Sequence, residues 1–124
     1  MRIIKKEDAL SVSKPEVTNV AYYLFDEYEL HYNEQLPNSS QVWHHHEKIW
    51  ETLFIIEGEL TAKWRENGQE KEQIVKAGDV IEVEHFPHTF VNHTNRYVKF
   101  LVVKQIISGE NKREVFKNDK ILDE

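Results

Sequence analysis

The chain contains no cysteine. That excludes disulfides, thiolate metal sites and a cysteine nucleophile. Glycine is scarce, with four residues at positions 58, 68, 78 and 109, so neither a phosphate-binding loop nor a dinucleotide fingerprint can be written. None of the five serines lies in a G-x-S-x-G context, which removes the nucleophile-elbow hydrolases. No apolar run approaches the roughly 18–20 residues that a membrane span needs. The first fourteen residues lack the apolar core of a secretory leader. Positive charge is also short: 16 Lys and Arg stand against 22 Asp and Glu, a formal net charge of −6. Nucleic-acid-binding surfaces need clustered cations instead. These absences point to a soluble, cytoplasmic protein with neither nucleic acid nor membrane as partner, and covalent catalysis fits it poorly.

What is present reads as one all-β domain spanning residues 1–124, since a single core organises roughly 100–150 residues. Gly58, Gly68 and Gly78 fall ten residues apart. Between the first two, Leu60, Ala62 and Trp64 share one parity, while Glu59, Thr61, Lys63 and Arg65 take the other. That is a half-buried strand. Asn67-Gly68 readily takes the two positive φ angles of a type I′ hairpin turn. Residues 71–75 lead back, and Ala77-Gly78-Asp79 turns the chain into 80–84. Further strands are expected over 17–25, 28–36, 49–56, 88–92 and 97–107, with one helical turn possible in 5–11. Short strands punctuated every 8–12 residues indicate a sandwich or barrel. Three segments (21–25, 53–56 and 100–103) are apolar on both faces, so something covers them outside. The N-terminal segment, the tail and a second subunit all qualify, and a homodimer is the reading adopted. Val115, Phe116, Ile121 and Leu122 predict a docked C-terminal arm over 108–124.

The informative stretch is Trp43-His44-His45-His46-Glu47-Lys48-Ile49-Trp50-Glu51. On a strand, His44 and His46 share one face and His45 takes the other. Two imidazoles about 7 Å apart at Cα can lean onto one metal at about 2.0–2.1 Å. Glu51 is placed to add a carboxylate from the next strand, and Pro87-His88 offers another imidazole at a strand start. Three neutral imidazoles and one carboxylate suit divalent Mn, Fe, Co, Ni, Cu or Zn without choosing among them.

The same residues resemble the cupin superfamily. His44-x-His46, four residues, Glu51, six residues and Gly58 match its first motif, about 38–58. Gly78-Asp79-Val80-Ile81-Glu82-Val83, then Pro87-His88, three residues and Asn92 resemble its second, about 78–92. The resemblance implies a double-stranded β-helix, a small jelly-roll barrel, with His44, His46, Glu51 and His88 binding metal inside. Two departures stand out. Asn38 replaces a glycine, and Glu84-His85-Phe86 replaces the usual Pro-x-Gly with a loop one residue shorter. His85 thereby becomes a further ligand or, as the first group to test, a catalytic acid/base.

His45 is expected at the surface, and His31 and His93 in surface or hydrogen-bonded roles. A divalent ion with one carboxylate leaves about +1 of local charge by ligand counting. Such a pocket suits a small anionic or oxygen-chelating molecule as substrate or ligand. The leading expectation is therefore a metal-binding cupin performing dioxygenation or isomerase or lyase chemistry. The alternatives are a non-catalytic module that binds metal and a metabolite, and a barrel whose metal is structural.

Overall fold

Alternation of apolar and polar residues turns most of the chain into antiparallel strands. The computed structural model describes residues 1–106 and 121–122. A 3-10 turn at Lys6–Asp8 precedes β1 (Leu10–Lys14), β2 (Thr18–Leu24), β3 (Tyr28–Gln35), β4 (Ser39–Ser40) and β5 (Ile49–Glu57). Then come β6 (Glu59–Glu66), β7 (Gln69–Lys76), β8 (Val80–Glu82), β9 (His88–Asn92) and β10 (Val98–Ile106). The docked arm expected over 108–124 lies outside the described residues, 121–122 apart.

The strands form two antiparallel sheets, β1-β2-β3-β10-β5-β8 and β4-β9-β6-β7. They close on one another as a jelly-roll barrel, the double-stranded β-helix that the motifs implied. Leu53, Ile55, Phe100 and Val102 of the first sheet meet Leu60, Ala62, Val75 and Phe90 of the second in one buried cluster. These are the inward parities of their strands, which fixes register: a slip of one residue would turn the whole set outward.

The turns carry their own signatures. Asn67 and Gly68 both have positive φ, 52° and 75°, and close the β6–β7 hairpin by pairing Glu66 with Gln69. Asn38 holds φ 51°, the left-handed conformation that asparagine tolerates better than most residues. Gly58 has φ +94°, and a Cβ there would stand 3.1 Å from Val98 Cγ2. Only glycine joins β5 to β6 without strain and without pressing on β10.

Two strands lie where the sequence reading placed none. β1 pairs with β2 from Leu10↔Tyr22 to Lys14↔Thr18, so the N-terminal segment lengthens a sheet as its edge instead of covering a face. β4 is a two-residue contact with β9, too short to show a period. Buried Asn92 stitches the far end: its Nδ2 donates to Leu36 O (3.0 Å) and Arg96 O (2.7 Å), while its Oδ1 accepts from Thr94 N (2.9 Å).

Candidate metal centre

Three segments converge inside the barrel. The first is the irregular stretch between β4 and β5, where His44 pairs with His88 as an isolated bridge. His44 N donates to His88 O at 3.1 Å and His88 N to His44 O at 2.9 Å. The histidine run is thus tied to the start of β9 and is not itself a regular strand. The second segment is β5, whose inward parity carries Glu51, Leu53 and Ile55, all buried. The third is β9, whose first residue, His88, is buried at 3% exposure.

One donor atom each from His44, His46 and Glu51 lies within 4.8 Å of the others. Donors on opposite sides of an ion at about 2.1 Å are at most about 4.2 Å apart, so this group can hold a metal ion with little adjustment. The tautomers suit it. His44 Nδ1 lies 2.8 Å from Val42 O, and His88 Nδ1 lies 2.8 Å from Phe86 O. A carbonyl only accepts, so each Nδ1 carries the proton and each Nε2 keeps a lone pair. Ring nitrogens anchored in this way are typical of metal-binding histidines.

His46 Nε2 approaches Glu51 Oε1 to 2.6 Å. These two buried atoms have each other, whereas His88 Nε2 is buried with no hydrogen-bond partner among the described residues. Burying an unpartnered polar atom is costly. Desolvation holds His46 below the ordinary imidazole value, outweighing the attraction of Glu51. Desolvation likewise lowers His88. Neutral imidazoles beside a carboxylate are the donor set that a divalent transition ion accepts.

His88 lies outside the close trio, although its ring centroid is 4.4 Å from that of His44. His85 is exposed: its Nδ1 donates to His46 O at 2.9 Å, and its ring meets Trp50 edge-on at 5.5 Å. Glu84 takes φ 59°, so the shortened loop turns through a strained residue where the family has glycine nearby. His45 and His93 are exposed, whereas His31 is buried and bonded to Glu29 Oε1 at 2.8 Å.

The histidines separate two cavities. One of about 330 Å³ is lined by Trp64, Phe86, His88 and Phe90 together with Glu66 and Glu82. The other, about 100 Å³, is lined by His31, His44, Glu51, Phe100 and Lys104 among others. Sequence reading missed Lys104 and the Glu29–His31 pair. Glu-x-His on one face of a strand was a visible signal. So was Lys104, which continues the inward parity of Val98, Phe100 and Val102.

Comparisons with known proteins agree with this fold. Residues 32–104 match the cupin domain family. A mutant oxalate decarboxylase from Bacillus subtilis superimposes with TM-score 0.73 at 16% identity, covering 87% of this chain and 30% of that one. Vicilin from Corylus avellana, hazelnut, gives 0.74 at 18%, covering 86% and 33%. A protein from Thermotoga maritima described as a predicted oxalate decarboxylase gives 0.69 at 22%, covering 86% and 100%. The chain thus spans about a third of the first two and the whole of the last. No curated protein sequence matches it.

Proposed function

The chain belongs to the cupin domain family, and from that premise we propose that it is a metal-dependent cupin acting on a small anionic or oxygen-chelating molecule. His44, His46, Glu51 and His88 are its ligands for one divalent transition ion: Fe, Mn, Ni, Zn, Co or Cu. The carrying observation is the convergence of donor atoms from His44, His46 and Glu51 within 4.8 Å of one another, with His88 Nε2 buried and unpartnered among the described residues. An ion bound there supplies Lewis acidity toward the oxygens of a ligand, the chemistry of lyases and isomerases, and with iron also that of dioxygenases.

The chain's own residues do the rest. Val42 and Phe86 carbonyls hold the His44 and His88 rings in their donor tautomers. Leu53, Phe90, Phe100 and Val102 supply the apolar part of the smaller cavity, whose other lining residues are polar or charged. His85 is the group to test for proton transfer, since its hydrogen bond to the His46 carbonyl keeps its ring beside the ligand-bearing loop.

A second copy covers the outer face of the six-stranded sheet on this reading, giving a cytoplasmic homodimer. Ala21, Tyr32, Leu101, Phe54 and Val80 are successive register partners across five strands, and Phe54 and Val80 remain 45% and 58% exposed.

Elemental analysis of freshly purified protein, with native mass spectrometry, tests the metal. About one transition ion per chain is expected, with His46→Ala losing at least tenfold in affinity while the metal-free melting temperature holds. Wild type that takes up none of the six metals would overturn the proposal. A melting temperature that depends wholly on metal, without turnover of small keto acids, enols or carboxylates, would assign the ion a structural role instead.

A further inference from the structure

The smaller cavity holds a cation with no hydrogen bond of its own. Lys104 projects inward from β10, between its register partners Glu51 on β5 and Glu29 on β3. Its side chain is 23% exposed, and Nζ stands 3.8 Å from Glu51 Oε1, beyond the roughly 2.7–2.9 Å of a charge-assisted hydrogen bond. Among the described residues Nζ makes no hydrogen bond. Glu29 pairs with His31 at 2.8 Å, and among the described residues no ion pair joins it to Lys104.

We propose that Lys104 makes this cavity the binding site for one small carboxylate, and that such acids are the substrate class. The proposal rests on the metal reading above. Once Glu51 serves a divalent ion, formal charges of ion, carboxylate and ammonium sum to about +2. An anion that reaches Nζ offsets that charge and gives the ammonium a short, charged partner. Lys14, an exposed residue of the cavity lining, adds attraction at the entrance.

Size narrows the class further. About 100 Å³ is well below the roughly 300–1,000 Å³ of sites for drug-sized ligands. That suits acetate, glycolate or oxalate better than sugars or aromatic acids. The 330 Å³ cavity is the poorer choice for an anion: its lining carries Glu66, Glu82 and Glu84 against Lys63 alone, a surplus of like charge.

The test is calorimetric titration of cobalt(II)-loaded protein with acetate, glycolate and oxalate, using benzoate as the oversized control. The cobalt absorption spectrum serves as a second readout. At least one small acid is expected to bind saturably, and more tightly than benzoate. Lys104→Met should weaken that binding by about tenfold or more at unchanged cobalt stoichiometry, and Lys104→Arg should restore part of it. Equal affinity in Lys104→Met, or no binding of any small carboxylate to cobalt-loaded wild type at millimolar concentration, overturns the proposal while leaving the metal reading intact. Failure of wild type to take up cobalt or any other of the metals overturns the metal reading, and this proposal with it.

Discussion

At the scale of single residues, burial bears on the protonation state of three histidines. His46, His88 and His31 are all held below their ordinary value, in each case chiefly by desolvation. A group whose folded value is lowered takes up its proton more readily when the chain is unfolded. The stability it contributes is fully present above about pH 6.5 and is lost as pH falls from there toward the folded value. The melting temperature of metal-free protein is therefore expected to drop between about pH 7 and pH 5, and His31→Gln should flatten part of that slope. A melting temperature that is level across this window, followed by circular dichroism, would count against buried neutral imidazoles. The histidines and Glu51 were legible in the sequence because ligand spacing is a local property. Lys104 was not picked out: its proximity to Glu51 depends on which strand lies beside β10, and nothing within nine residues of chain states that.

At the scale of elements, the turns were the most legible parts. Asn67-Gly68 has the dihedral signs that its chemistry favours, and β2, β3, β5, β9 and β10 begin and end within about two residues of the alternating runs. β1 escaped notice because an exposed edge strand, with all five residues accessible, has no buried parity to betray it. The His44 stretch was read as a strand, but only its bridge to His88 has ladder geometry. Gly58 joins these observations to stability. Its left-handed backbone and the 3.1 Å approach to Val98 leave no room for a methyl group. Gly58→Ala is expected to cost about 1–3 kcal/mol, measured by denaturant unfolding. A loss below the error of that measurement would mean the β5–β6 junction relaxes freely.

At the scale of the whole molecule, the two faces of the large sheet play different parts: the inner face holds the core and the donors, while the outer face carries the Ala21–Tyr32–Leu101–Phe54–Val80 row. Size-exclusion chromatography with light scattering is expected to report about twice the chain mass of 14.8 kDa, and Phe54→Arg should halve it. A wild-type protein of single-chain mass at micromolar concentration would refute the dimer. A sandwich or barrel was readable from alternation and glycine spacing, and the barrel itself from the motif resemblance, whereas which strands share a sheet was not, because pairing such as β3 with β10 spans some seventy residues. The His44–His88 bridge has a consequence in time as well. Glu51 leaves the ribosome 37 residues before His88, about 2–7 s earlier at 5–20 residues per second. On the proposed ligand set, a nascent chain would therefore offer three donors before the strand that pins one of them exists, and an ion captured then would sit in an open hand until His88 arrives.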